Sequence, residues 1–304
     1  MKRHFLLSLA GLLAVGILLS GCQSATEPIE DELAVLKEMI ESDPLFNSDQ
    51  MLLDDPEAAT LGKTTAPIIP VAWGRRVTSA SRTIDFEREG DTIVVATIMH
   101  TISGEIKIAA KDSLRDTTIT IVSKPFTETT VRKVKLTRID RTDRPRDNWR
   151  IREVSAVAGG TGDAVLTVNQ LMAVVGLDTL VVTDPLEFFL KLPEFSGRHM
   201  PSVGQNAPVK VQFTVTSTES DTDLVFLHRP AQWLNSSTFR PARVRLTLVS
   251  QTGSGPYTRV YEHTWNSHIS GRHHFFVSAI TRNSLFDDAA PWATKMWGIP
   301  YLVQ

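Results

Sequence analysis

Four histidines lie close together near the carboxyl end of the chain, at His263, His268, His273 and His274. Alternating residues around them predict two strands, at 257–265 and 272–280, joined by a short loop. In such a hairpin His263 lies opposite His274, and two neighbouring imidazoles can share a metal ion with a third ligand such as His268. The same residues also fit an ordinary strand pair with half-exposed histidines. The histidines are therefore a candidate metal site that requires this hairpin.

Three tryptophans occur in the same part of the chain, at Trp265, Trp292 and Trp297. Flat aromatic faces stack on sugar rings, so exposed side chains at these positions would indicate a glycan-binding surface. The alternative is that a carboxyl-terminal segment covers a β-sandwich and buries these rings in its core. Exposure of the three rings distinguishes the two interpretations.

Basic residues concentrate at 131–152, where nine lysines and arginines against three aspartates give a net charge of +6. Four of the arginines are candidates for binding an anion, namely Arg132, Arg138, Arg150 and Arg152. Guanidinium groups form paired hydrogen bonds with phosphate and carboxylate, so an anionic partner fits this segment. The segment 23–57 carries eleven acids against one lysine, a net charge of −10, and offers a partner within the chain. The sequence favours this internal electrostatic role.

The sequence contains no recognised catalytic motif. The run Gly159-Gly160-Thr161-Gly162 lacks the following Lys-Ser/Thr pair of a phosphate-binding loop, and neither G-x-S-x-G nor H-E-x-x-H occurs. The single cysteine, Cys22, excludes a disulfide framework, a cysteine zinc cluster and an iron–sulfur site. A net charge of −2 argues against a nucleic-acid partner. We therefore expect a protein without enzymatic activity or a cofactor.

The amino end has the three parts of a secretory signal peptide: a positive start, an apolar run at 5–19 and small residues before Cys22. Leu19-Ser20-Gly21-Cys22 resembles a bacterial lipobox at all four positions. The resemblance implies removal of residues 1–21, lipidation of Cys22 and a tether at 22–30. Gln23 implies, by the same resemblance, the outer membrane rather than the inner one. The alternative is an uncleaved membrane anchor, for which the apolar run is short.

The elements after the tether predict an α+β domain at 31–160. Leu33, Leu36, Met39 and Ile40 have helical spacing, and Asp43-Pro44 ends that helix. A series of β-branched, alternating segments then predicts an antiparallel meander with tight turns at 89–91 and 103–104. Its last hairpin joins strands at 131–139 and 149–157. A helix before such a meander is similar to the cone-shaped folds of the nuclear-transport-factor type.

A glycine-rich stretch at 158–163 predicts a domain boundary, and clean alternation returns at 209–216 and 243–248. Strands of this length and spacing at 164–304 predict a β-sandwich, which resembles an immunoglobulin-like domain in pattern. The predicted fold class is thus mainly β or α+β: a helix with an antiparallel meander, followed by an immunoglobulin-like sandwich.

Three functions compete at this point. The favoured one is a lipid-anchored envelope protein with a non-catalytic binding or structural role, held to the membrane through Cys22. Its partner would be another envelope protein or an acidic polysaccharide. A surface glycan-binding lipoprotein is the first alternative, and a cell-envelope hydrolase that uses a cavity in the first domain is the second.

Overall fold

The structure is a computed structural model that describes residues 30–46, 67–112, 117–192, 199–232, 239–267 and 270–304. The protein is mainly β, with two sheets that are almost entirely antiparallel, and this confirms the predicted fold class. The predicted signal peptide, Cys22 and most of the tether lie outside the described residues. Among the described residues, no helix has the length and apolar character needed to cross a bilayer.

The predicted amino-terminal helix is present as α1, Glu30–Ser42, and it ends before Pro44 as expected. A short 3-10 turn, Pro44–Phe46, comes after it, and the side chain of Asp43 accepts a hydrogen bond from the Leu45 amide over 2.9 Å. Two further short helices are described, α2 at Pro145–Asn148 and α3 at Arg282–Phe286.

Sixteen strands are described between Ile69 and Val303. In chain order they are β1 (Ile69–Glu89), β2 (Ile93–Lys111), β3 (Thr120–Arg138), β4 (Trp149–Ser155), β5 (Val157–Gly160), β6 (Leu166–Val175), β7 (Asp178–Val182), β8 (Phe189–Lys191), β9 (Ser202–Val203), β10 (Pro208–Ser217), β11 (Leu224–Gln232), β12 (Phe239–Arg245), β13 (Thr247–Thr252), β14 (Tyr257–Asn266), β15 (Gly271–Ile280) and β16 (Thr294–Val303).

The larger sheet is curled and has the order β1-β2-β3-β5-β16-β15-β11-β12, with β4, β8 and β9 attached beside this path. Its first three strands are long, with 21 residues in β1 and 19 each in β2 and β3. β2 continues through Ser103-Gly104, where the sequence predicted a turn. The expected tight turn there is wrong. Gly104 instead lies between Val77 and Phe126, and a Cβ atom at this glycine would lie only 2.1 Å from the Arg76 carbonyl oxygen. The glycine allows a close approach of β1, which has a bulge at this point.

The predicted domain boundary contains strand β5, which pairs with β3 on one side and with β16 on the other. Gly159 is opposite Thr130 and also opposite Met296, so the two halves of the chain contribute to one sheet. Close packing explains the glycine, since a Cβ atom there would lie 2.8 Å from the Thr129 carbonyl oxygen. Independent folding of 164–304 stays a prediction.

The smaller sheet has the order β13-β14-β10-β6-β7 and packs against β11, β15 and β16 of the larger sheet. Alternate residues of β10 and β15, such as Phe213 and Phe275, fill the space between the layers. The predicted sandwich-like packing is therefore confirmed, and the immunoglobulin-like resemblance stays a prediction.

The predicted terminal hairpin of 257–265 with 272–280 is wrong. β14 pairs with β10 and β13, whereas β15 pairs with β11 and β16 in the other sheet. Each strand buries one face in the same core, and the ring centroids of Trp265 and Phe275 are 5.3 Å apart in an edge-to-face arrangement. The two strands are thus packed face to face across the sandwich rather than side by side.

Two further apolar clusters lie at opposite ends of the long strands. At one end, α1 buries Leu36 and Ile40 against β2, β3 and Trp149. At the other end, Trp73 of β1 packs with Phe226 of β11 and with Trp292. Charged side chains accompany each cluster.

Candidate functional site

The histidine pair that a metal site requires does not form. His263 lies on β14 of the smaller sheet and His274 on β15 of the larger one, and His268 lies outside the described residues. His274 is fully buried, with Nε2 3.3 Å from Nη1 of Arg132. Burial, followed by the charge of Arg132, lowers its pKa well below the usual value. Within the described ranges, no three His, Cys, Asp or Glu side chains come together as metal ligands.

The three candidate glycan-stacking tryptophans are buried. Trp265 and Trp292 are 5% exposed and Trp297 is 9% exposed. Trp265 and Trp297 belong to the core between the two sheets, and Trp292 belongs to the cluster around Trp73. The prediction of an exposed stacking surface is therefore wrong, because these rings already cover apolar side chains.

The basic hairpin forms as predicted, since β3 pairs with β4 and Leu136 lies opposite Ile151. Trp149 is buried, whereas Arg150 is exposed and donates hydrogen bonds to nearby carbonyl oxygens, including that of Trp149 over 2.8 Å. Arg152 is half-buried. The predicted alternation between a core face and a basic face is present at the start of β4.

The prediction that Arg132 belongs to a surface group for anions is wrong. Arg132 is 1% exposed, because it shares a face of β3 with Val134 and Leu136. Its guanidinium contacts His274 and donates to the carbonyl oxygen of Leu45 over 3.3 Å. Arg132 thus joins the turn after α1 to the inside of the curled sheet.

Arg138 takes part in a group that we call the Glu32 cluster: Glu32, Arg88, Arg138 and Trp149. Arg88 Nη2 lies 2.9 Å from Glu32 Oε2, Arg138 pairs with Oε1, and Trp149 Nε1 donates to Oε1 over 2.8 Å. The Arg138 guanidinium also lies 4.8 Å from the centre of the Trp149 ring. The ends of β1 and β3 and the start of β4 thus meet at the first turns of α1.

Electrostatics favours ionised Glu32 in this arrangement. Burial by itself would raise the pKa of Glu32, but hydrogen bonds from Trp149 and Arg138 and the charges of Arg138 and Arg88 lower it below the usual value. The ionised carboxylate of Glu32 therefore pairs with the guanidinium groups of Arg88 and Arg138 in the folded protein.

Two further ion pairs extend along the same helix and the turn after it. Arg146 of α2 lies 2.7 Å from Glu38, and Arg272 of β15 lies 3.3 Å from Asp43. The Glu38 pair is exposed and contributes little by itself. The described part of the acidic segment nevertheless contacts basic residues of the chain, as the internal interpretation predicts.

A second group, which the sequence did not reveal, is the Glu128 cluster: Glu128, Arg75, Trp292, Trp73 and Arg243. Glu128 Oε1 lies 2.7 Å from Arg75 Nη2 and accepts a hydrogen bond from Trp292 Nε1 over 2.8 Å. The Arg243 guanidinium lies 3.9 Å from the centre of the Trp73 ring. The pair of Glu128 and Arg75 is almost completely buried.

His228 lies beside the Glu128 cluster, and the positive charges of the two arginines in that cluster affect its pKa. Burial, followed by the charges of Arg75 and Arg243, lowers the pKa of His228 to about 3, so the imidazole is neutral at physiological pH. Its Nε2 lies 2.8 Å from the hydroxyl of Ser278. The period of two in the sequence could have indicated this cluster. Trp73 and Arg75 share one face of β1, and Phe126 and Glu128 share one face of β3, so each charged residue lies on the same side as an apolar one.

Comparison with known proteins does not assign this chain to a family. Protein-family models gave no match to this chain, and no curated protein is significantly similar to it in sequence. Its function must therefore be inferred from its own residues.

Proposed function

We propose that this protein is a lipid-anchored envelope protein with a non-catalytic binding or structural role. The observation that carries the proposal is the position of the only cysteine, Cys22, at the end of a lipobox-like sequence. Several acyl chains on one cysteine hold a protein firmly in a bilayer, at about 0.8 kcal/mol for each buried methylene group.

The position of α1 relative to Cys22 supports this proposal. α1 begins at Glu30, eight residues after Cys22, and an extended tether of that length spans about 27 Å. The helix buries Leu36 and Ile40 and carries Glu32 into its cluster of arginines. An anchored protein of this kind would be held at the α1 end of its curled sheet.

Gln23 favours the outer membrane, and the partner that we propose is another envelope protein. Arg141, Arg144 and Arg150 are exposed at the hairpin beside α1 and are available to an acidic partner surface. An acidic polysaccharide is the alternative partner for the same residues.

Metabolic labelling with a fatty-acid analogue tests the anchor. The full chain should incorporate the label, and Cys22→Ser should abolish incorporation and leave a precursor of higher mass. Ser24→Ala is the matched control, since it changes a neighbour outside the lipobox and should leave labelling intact. Equal labelling of Cys22→Ser and the unmodified chain would overturn the proposal.

Sorting is tested separately by Gln23→Asp. In the lipoprotein family an aspartate after the cysteine often retains the protein at the inner membrane. We expect Gln23→Asp to move the labelled protein from the outer-membrane fraction to the inner one. An unchanged distribution would contradict the outer-membrane assignment while leaving lipidation untouched.

A further inference from the structure

Among the described residues, Ile139 and Leu177 are exposed apolar side chains in connections between strands. Ile139 comes directly after β3 and is 54% exposed, and Leu177, between β6 and β7, is fully exposed. A single exposed apolar residue needs no explanation, so what matters is where these two lie relative to Cys22. Both lie at the end of the two sheets where α1 packs, which we call the α1 end.

Ile139 lies next to the first turn of α1. Its neighbour Arg138 pairs with Glu32 of that helix. α1 begins at Glu30, and the eight residues from Cys22 to this point span about 27 Å when extended. A bilayer that holds a lipidated Cys22 can therefore reach Ile139.

Leu177 lies at the same end of the smaller sheet. Its neighbour Gly176 packs so closely on Ser202 that a Cβ atom there would lie 2.5 Å from the Ser202 carbonyl oxygen. Ser202 is opposite Leu302 of β16, and Leu302 packs on the apolar cluster that contains Leu36 of α1. The turn that carries Leu177 thus lies on the same side of the molecule as the helix that follows the tether.

The residues after Ile139 fit the headgroup layer of a bilayer. Arg141 and Arg144 are exposed, and guanidinium groups pair with the phosphate that every phospholipid headgroup carries. Asp140 and Asp143 are exposed beside them, so these four residues have no net charge and do not select an anionic lipid. Apolar contact together with phosphate pairing is typical of residues at a membrane interface.

We propose that the α1 end rests on the bilayer, with Ile139 and Leu177 entering the headgroup layer. The inference rests on the proposed lipidation of Cys22 and goes beyond it, because a tether alone also allows a domain to stand away from the lipid. Contact at two connections fixes which end of the molecule faces the bilayer. Ile121 is seventeen residues from Arg138, or about 56 Å along β3, and is then held away from the lipid.

Single-cysteine variants of the full lipidated chain test this contact, because a lipidated Cys22 has no free thiol. Ile139→Cys and Leu177→Cys are labelled with the environment-sensitive fluorophore NBD and reconstituted in phosphatidylcholine vesicles that contain a nitroxide-labelled lipid. Both labels should show blue-shifted emission. The nitroxide lipid should quench them at least about twofold more strongly than a label in water, because both side chains enter the headgroup layer.

Ile121→Cys is the matched control, since Ile121 is a 63% exposed isoleucine near the other end of β3. Its label should keep the emission of an aqueous probe and resist quenching. Asp140→Cys replaces Ile139→Cys if circular dichroism shows that the latter has not folded.

The outcomes separate this contact from the anchor. Aqueous emission at either Ile139→Cys or Leu177→Cys, in chains that stay bound to the vesicles, would overturn the contact and leave lipidation untouched. Equal quenching at Ile121→Cys would overturn it as well, because no single end would then face the lipid. Uptake of the thiol label by the unmodified chain would show that Cys22 is not lipidated, and the proposed function would fail together with this inference.

Discussion

The long strands β1 and β3 carry two similar groups in different environments, the Glu32 cluster and the Glu128 cluster. Both have one glutamate held by arginine and by a tryptophan indole, but the Glu32 cluster is partly exposed whereas Glu128 and Arg75 are almost completely buried. On β1, thirteen residues or about 43 Å separate Arg75 from Arg88. The same kind of ion pair thus joins α1 to the sheet in the Glu32 cluster and lies within the core in the Glu128 cluster.

Burial changes what an ion pair does. A buried pair is costly to form, and losing one partner leaves an uncompensated charge, so the pair makes the local structure intolerant of change. A partly exposed pair can open and close at small cost and responds to pH and salt. We therefore expect the Glu128 cluster to control stability and the Glu32 cluster to control how firmly α1 is held.

The largest effect is expected from Glu128→Ala. It leaves Arg75 buried without its carboxylate and Trp292 without its acceptor, so the free energy of unfolding should fall by about 3–5 kcal/mol. Denaturant unfolding at neutral pH measures this. Glu128→Gln retains an acceptor and should cost less. Equal stability of Glu128→Ala and the unmodified chain would contradict the importance of the buried pair.

A slightly smaller loss is expected from Leu36→Ala at the other end. Leu36 is fully buried between α1 and the sheet, and truncation should lower the free energy of unfolding by about 2–4 kcal/mol. Lys37→Ala is the control on the exposed side of the same helix and should change stability by less than about 0.5 kcal/mol. Both variants introduce alanine, the best helix former, so weaker helix formation predicts no loss in either one. Similar losses in both variants would therefore contradict the packing account.

The Glu32 cluster should give a smaller, pH-dependent effect. Because the pKa of Glu32 is lowered by folding, its stabilisation is complete above the unfolded pKa and is lost as pH falls through the lowered value. Glu32→Gln should cost about 1–2 kcal/mol at pH 7 and less at acidic pH, where both chains carry a neutral group. Urea unfolding across pH measures the difference. A cost that does not depend on pH would contradict this account.

The smallest effect is expected for the exposed pair of Glu38 and Arg146. Arg146→Ala should change the free energy of unfolding by less than about 0.5 kcal/mol, and added salt should remove even that. Thermal unfolding at low and high salt is the measurement. A loss as large as that of Glu32→Gln would mean that the two ion pairs act as one network.

Local patterns predicted the elements that local sequence determines. The spacing of Leu36 and Ile40 gave α1, and the alternation around Trp149 and Ile151 gave the hairpin of β3 and β4. Both depend on contacts between residues near one another in the chain or on one face of one element. For such elements the period of apolar residues is a direct signal.

The period of apolar residues does not predict which distant strands pair with each other. β14 and β15 are neighbours in the chain but pair within different sheets, so alternation identified both strands and misassigned their partners. Gly104 was expected in a turn, because the sequence does not distinguish a glycine needed for close backbone approach from a glycine needed in a turn. Arg75 and Glu128 are 53 residues apart, and nothing local indicates that they meet.

We infer that Glu32 fastens α1, and with it the proposed anchor, to the end of the curled sheet. Hydrogen–deuterium exchange of the Glu32→Gln variant tests this most directly at neutral pH. We predict that the amides of α1 exchange faster than in the unmodified chain, while those of β15 in the sandwich keep their protection. Unchanged exchange in α1, or equal acceleration in α1 and β15, would contradict the claim.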